Sequence, residues 1–328
     1  MADHADDGND DGIDRDIFVY RGGRAPRNVT HVRIDKSVEV IVDHAFEYNE
    51  HLVQVETHDG IRKVGRKAFN RCRSLRNIDL RSVLEIGFMA FDGCNSLRSI
   101  DLRSAVEIGG AAFECTSLQR LKLPSIITVE ASAFRTCTAL SSIEFSERLE
   151  TIEPFAFLGC DRLQRIAIPL KRDLFSFDHH HQDYNQFDYC EQLTTVDLVG
   201  GAHNKTVLSS LHMESWRIEM IAEINRINQV LPNIERLWKT AAIRQWMDSV
   251  IDKIDHYKAE HHRYVKEAVT LLELALWKAK LDEKDENAAA GRTKKKAKLD
   301  AESVRKEKRI TCGADTVIKN VLPFLQLE

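Results

Sequence analysis

Apolar positions along this chain recur in two alternating patterns. From about Val29 to Leu198 one phrase is repeated, with its clearest copies at 64–80, 86–102 and 152–168. Each copy carries a Phe, at Phe46, Phe69, Phe91, Phe113, Phe134, Phe157 and Phe187, in steps of 23, 22, 22, 21, 23 and 30 residues. A period of this length marks a stacked solenoid, because one unit alone cannot bury its apolar face. In Leu75-x-x-Ile78-x-Leu80 the last two apolar residues lie two apart, the spacing of a strand with one face inward. The same positions recur at Leu97/Ile100/Leu102, Leu118/Leu121/Leu123, Leu140/Ile143/Phe145, Leu163/Ile166/Ile168 and Leu193/Val196/Leu198. The other half of the unit, Ile86-Gly87-x-x-Ala90-Phe91-x-x-Cys94, spaces its apolar residues three or four apart and predicts a short helical turn. Gly65, Gly87 and Gly109 read as the source of backbone freedom between strand and turn. Ala45, Ala68, Ala90, Ala112, Ala133 and Ala156 read as sites of close approach between coils.

The pattern changes on either side. Residues 1–16 hold seven Asp and almost nothing apolar, the composition of a disordered acidic tail. Ile17 to Tyr20 is a short strand signal, so the array is expected over 17–200, opening on a strand without a Phe half. Beyond Gly200-Gly201, residues 205–282 predict a helical hairpin: one amphipathic helix ending at Pro232, then a longer one from about Thr240 to Leu281. Such a pair could cap the last coil or pair two chains as a coiled coil, giving a homodimer. Residues 283–309 read as a charged linker and 310–328 as an apolar tail. The expected architecture is therefore an α/β leucine-rich-repeat solenoid, with a parallel sheet on one face and an all-α C-terminal module.

The phrase Ile-Gly-x-x-Ala-Phe-x-x-Cys-x-x-Leu-x-x-Ile-x-Leu resembles the BspA-type leucine-rich repeat. The C-terminal segments 224–232, 256–261 and 271–281 are similar to a module found in diatom proteins of this type. The resemblance implies a strand-lined solenoid used for binding, without an enzymatic site. Three departures stand out: Asn49 where other units have Cys, one residue fewer before Cys115, and an insertion at 170–186.

Composition narrows the chemistry. The 328 residues are 43% hydrophobic and 30% charged, with a net charge of −4, which gives no global basis for nucleic-acid binding. No apolar run reaches membrane-spanning length and no leader pattern is visible, so an intracellular location, cytoplasmic or nuclear, is expected. Cys72, Cys94, Cys115, Cys137, Cys160 and Cys190 follow the repeat, without the close pairs that zinc sites need, and read as reduced, buried apolar groups. His256 and His261 are five apart and do not share a helix face. No phosphate loop, nucleophile elbow or dinucleotide fingerprint appears, and neither catalytic residues nor a cofactor is expected.

What remains is binding. Between the inward residues of successive strands lie Glu56, Asp79, Asp101, Lys122, Glu144, Ala167 and Asp197, with Arg81 and Arg103 alongside. This reads either as a solvated, salt-bridged face or as a protein-binding face of acidic bias; acidic columns repel phosphate. The insertion, with His179, His180 and His181, reads as a polar loop, a partner-binding loop or a metal-affine one. Lys294, Lys295, Lys296 and Lys298 form either a solvated run or a nuclear import signal. The expected function is a non-enzymatic protein-interaction scaffold binding through the sheet face and the 170–186 loop; the alternative is a nuclear adaptor addressed by the 294–298 run.

Overall fold

The computed structural model describes residues 17–176, 185–200 and 214–291. One wall of the solenoid is built from β1 (Ile17–Tyr20), β2 (His31–Ile34), β4 (Gln54–Glu56), β6 (Asn77–Asp79) and β8 (Ser99–Asp101). It resumes as β10 (Arg120–Leu123), β12 (Ser142–Phe145), β14 (Arg165–Pro169) and β15 (Thr195–Val199). All pairs within each part are parallel, and no ladder joins β8 to β10. A second wall consists of two-residue strands: β3 (Val40–Ile41), β5 (Lys63–Val64), β7 (Glu85–Ile86), β9 (Glu107–Ile108), β11 (Thr128–Val129) and β13 (Thr151–Ile152). The expected solenoid followed by helices is what the chain forms.

Within each unit the local prediction differs. Where a helical turn is expected, the Ala-Phe segment folds as two tight turns around residues of left-handed backbone. Two positions before the Phe stand His44, Lys67, Met89, Ala111, Ser132 and Phe155; two positions after it stand Tyr48, Arg71, Gly93, Cys115, Thr136, Gly159 and Tyr189. For a non-glycine residue this conformation costs roughly 1–2 kcal/mol. Stacking offsets it. Lys67 N, Phe69 N and Arg71 N donate to Phe88 O, Ala90 O and Asp92 O at 2.9, 2.8 and 2.7 Å, and the following coils repeat the set. A helix would turn those N–H groups along its own axis and forfeit all three bonds to the next coil.

The glycines act differently from the sequence reading. Gly65, Gly87 and Gly109 are not in the left-handed region. They are needed because the coils touch there: a Cβ on Gly87 would lie 2.7 Å from Arg66 N and Gly65 C.

The core is a set of columns. Phe46 to Phe187 form a stack of near-parallel rings whose successive centroids are 5.0–5.5 Å apart. Tyr20 closes its N-terminal end at 4.9 Å from Phe46, and Phe175 meets Phe187 edge-on at 5.7 Å. The cysteines make a hydrogen-bonded column rather than a merely apolar one. Cys72, Cys94, Cys137, Cys160 and Cys190 each donate Sγ–H to the Phe carbonyl of the preceding coil, at 3.0–3.2 Å. Burial pushes the thiols of Cys72, Cys94 and Cys160 well up. Cys115 is exposed and outside this column. Thr116, three residues after Phe113, takes its slot with a bond to Phe113 O at 3.0 Å.

The insertion is partly wall. Phe175 bridges to Ile152 in parallel register, with Ile152 N–Leu174 O at 2.7 Å and Ser176 N–Ile152 O at 3.1 Å, so 174–176 extend the second wall. Gln186 stands in the column of small Ala residues and donates its amide to Ser176 O at 2.7 Å. His179, His180 and His181 lie outside the described residues, as do the 1–16 tail, the apolar tail and Cys312.

The helices are α1 (Glu214–Val230) and α2 (Lys239–Gly291), joined through a 3-10 turn at Leu231–Asn233. Pro232 has no N–H to continue α1, which ends where the sequence predicts. The chain divides into two compact units, one holding the coils with Ile221–Ile251, the other Lys205–Met220 with Asp252–Glu328. In the first, helical side chains finish the last coil. Asn228 Oδ1 accepts from Val196 N at 2.7 Å and its Nδ2 donates to Val196 O at 3.2 Å, as a further strand would. Thr240 Oγ1 accepts from Phe187 N at 3.0 Å, in place of a next-coil carbonyl. Lys239, 2% exposed, donates Nζ to Leu193 O at 2.6 Å and Glu191 O at 3.0 Å, and burial lowers its pKa. In the second unit, Trp216 stacks on Tyr257 at 4.8 Å.

Candidate binding faces

A strand with alternate residues buried must present the others to solvent. In the main wall Val32, Ile78, Leu121, Ile143, Ile166 and Val196 are buried, so the residue after each takes the other side of the strand, where all but the buried Ala167 reach solvent. Register aligns these into a column: Arg33 beside Glu56, Asp79 beside Asp101, then Lys122, Glu144, Ala167 and Asp197 in succession. The structure therefore brings the expected face residues together on one surface.

It also pairs them. Arg33 Nε–Glu56 Oε2 is 2.7 Å, Lys122 Nζ–Glu144 Oε2 is 3.2 Å, and Arg165 Nε–Asp197 Oδ2 is 2.5 Å. Arg165 also reaches Glu144 at 3.9 Å, spanning the gap that Ala167 leaves. Arg81 and Arg103 fold back onto Asp79 and Asp101, two residues earlier, with Nε–Oδ distances of 2.8–3.1 Å. The hydrogen bond from each arginine holds the carboxyls of Asp79 and Asp101 below their usual range. These ion pairs therefore persist at neutral pH and are lost only as pH falls through the depressed values. Sequence reading missed Arg33, although Val32-Arg33-Ile34 repeats the spacing of Ile78-Asp79-Leu80 and so marks the same column.

The remaining candidates do not converge. Among the described residues, no group of three or more His, Cys, Asp and Glu is placed to hold a metal ion. His256 lies 3.6 Å from Glu260, an ordinary i, i+4 pair. The lysines at 294, 295, 296 and 298 lie outside the described residues.

Seven stacked rings, a thiol column and parallel strands set by a 22-residue phrase are the features against which known families can be compared. The model of the BspA type leucine rich repeat region matches six copies over residues 25–129 and 106–229. This chain belongs to the BspA type leucine-rich repeat family.

Among the solved structures similar to it are two other leucine-rich proteins. One is a leucine rich cell surface protein from Faecalibacterium prausnitzii, 22% identical over 53% of this chain and 60% of that one, with a TM-score of 0.28. The other is a leucine-rich repeat protein from Bacteroides ovatus, 20% identical over 52% and 61%, with a TM-score of 0.25. The aligned part thus spans about 60% of each of those chains. Comparison with curated proteins gives no match. The expected intracellular location, cytoplasmic or nuclear, is corrected by this comparison, since the Faecalibacterium protein is described as a cell surface protein. No helix among the described residues is long and apolar enough to cross a membrane.

Proposed function

We propose that this BspA-type protein is a non-enzymatic scaffold binding protein partners through the outward face of the main wall and the 170–186 segment. The contact set is Glu56, Asp79, Asp101, Lys122, Glu144 and Asp197 with Arg81 and Arg103. One observation carries the reading: the inward letters of each coil are nearly constant, whereas the outward column varies, from Arg33 through the acids Glu56, Asp79 and Asp101 to Lys122, Glu144, Ala167 and Asp197. Stacked repeats of this kind offer extended surfaces whose backbone is fixed by its neighbours. The acids on the column already have basic partners, yet exposed ion pairs are worth only about 0–1 kcal/mol each. A partner can therefore exchange its own cations for Arg81 or Arg103 at little cost.

Affinity capture with the triple reversal D79K/D101K/E144K tests this. Partners captured by the native chain should be lost or reduced by roughly tenfold or more, since each reversal turns attraction into repulsion. An unchanged set of partners refutes the acidic-column version.

A second association is proposed for the far part of α2. Leu271, Leu274, Trp277 and Leu281 recur three or four apart and are 66%, 57%, 66% and 45% exposed. An apolar stripe along one helix face can pair with its like, and a second copy would cover it with the same stripe. Light scattering after gel filtration should give a dimer for the native chain and a monomer for L271D/W277D. A native chain that stays monomeric at micromolar concentration removes the proposal.

A further inference from the structure

The main wall holds a second surface of distinct charge, beside the column of paired charges. It opens where the wall is broken. The unit around Phe113 is a residue shorter than its predecessor, and no ladder connects β8 to β10. Ile100, whose counterparts Ile78, Leu121 and Ile143 are buried, is only partly buried at this break. Across it lies a groove of about 650 Å³.

The groove's chemistry is one-sided. Arg98, Arg120 and Arg162 line it, and no carboxylate does. Among the described residues these three guanidinium groups have no ion-pair partner, whereas Arg33, Arg81, Arg103 and Arg165 of the same wall are all paired. Three arginines with no carboxylate among them favour an anion at this place, by an amount that solvent screening keeps modest. Gln119, Gln164 and Gln192 lie between the arginines, and Gln164 Nε2 already donates to Gln192 Oε1 at 3.2 Å. Side-chain amides offer one acceptor and two donors each, complementary to the N–H and C=O of a peptide backbone. A nucleic-acid backbone fits worse, because its phosphates offer acceptors but no N–H for the glutamine oxygens.

We propose that this groove is a docking site for an extended peptide segment with two or more carboxylates, each taken by one of Arg98, Arg120 and Arg162. The glutamines hold the backbone between them. This rests on the scaffold reading and specifies the partner's chemistry at a site distinct from the paired column.

The test is fluorescence anisotropy on the full chain with a labelled hexaglutamate peptide. Binding is expected, weakening as salt rises, and R98E/R120E/R162E should reduce affinity by roughly tenfold or more. The charge-matched variant R27E/R66E/R148E, whose sites lie outside the groove, should stay within about twofold of the native chain. Should the groove triple fail to fold by circular dichroism, R98E and R162E are measured singly, each expected to weaken binding about threefold. Absence of hexaglutamate binding overturns the proposal, as does equal weakening by the two triple variants. So does a labelled oligodeoxythymidine that binds the groove and is not displaced by hexaglutamate. Any of these leaves the scaffold reading to its own test at Asp79, Asp101 and Glu144, which do not line the groove.

Discussion

Replacing Phe91 by alanine should lower the stability of the coiled unit by about 3–5 kcal/mol, measured as a fall in the urea midpoint. The ring is fully buried and stacked between Phe69 at 5.0 Å and Phe113 at 5.3 Å. The cost of such a truncation depends on how far the surroundings can collapse into the space. Here they cannot move far. Phe91 N is bonded to Ala112 O at 2.7 Å, and Met89 N and Gly93 N hold the same neighbouring coil at 2.9 Å each. Closing the cavity would break these bonds, so the loss should fall in the upper part of the range. A loss below about 1 kcal/mol would mean that the column is plastic and that its regularity says little about its energetics.

Gly87→Ala should cost about 3 kcal/mol or more, although it adds only a methyl group. Overpacking in ordinary cores costs about 1–3 kcal/mol because neighbouring side chains can rotate away. The atoms facing Gly87 are backbone, Arg66 N and Gly65 C at 2.7 Å, and they cannot rotate. Gly109 would in turn meet Gly87 C at 2.8 Å, so the three glycines form one line of contact between coils. Relief requires separating two coils and stretching the Gly87 N–Val64 O bond of 2.8 Å. Gly93→Ala is the informative comparison. Gly93 has φ +70°, and the nearest atom to an added Cβ is the Arg71 Cγ at 3.3 Å. Its position in other coils is already filled by Tyr, Arg, Cys and Thr with similar φ. That substitution should cost only about 1 kcal/mol. Thermal denaturation of the two variants side by side decides the matter, and a larger loss for Gly93→Ala would invert the roles assigned to these glycines.

The strands and the ring column were legible because spacing alone determines them: Ile78 and Leu80 are two apart, and Phe residues about 22 apart must stack if coils stack. The turn containing Ala90 and Phe91 was not. Its apolar spacing suits a helix, and only bonds to a coil 22 residues away make left-handed backbone at Met89 the better choice. The same limit applies to Cys94, whose apolar reading was correct for burial but silent about its bond to Phe69 O. Cys115 misled for another reason: with one residue fewer in the unit, the chemically suggestive cysteine falls outside and Thr116 falls in. On the candidate face, the acidic residues were visible in the sequence, and Arg81 and Arg103 with them. A salt-bridged face was one of the two readings, but the fold-back of Arg81 and Arg103 onto Asp79 and Asp101 was not visible, since a side chain's direction is set by geometry rather than by its letter. The missing ladder between β8 and β10 coincides with the unit that is one residue shorter, and nothing in that unit's composition shows the interruption.

Asn228, Thr240 and Lys239 have a consequence beyond the last coil they finish. A parallel stack with bare ends is a template on which another chain can continue the same wall, head to tail and without limit. Such a filament requires two complementary ends, since each join uses the leading edge of one molecule and the trailing edge of the next. Here the trailing edge donates and accepts into helical side chains of its own molecule. The stack therefore terminates itself, and its length is the number of coils written in one chain.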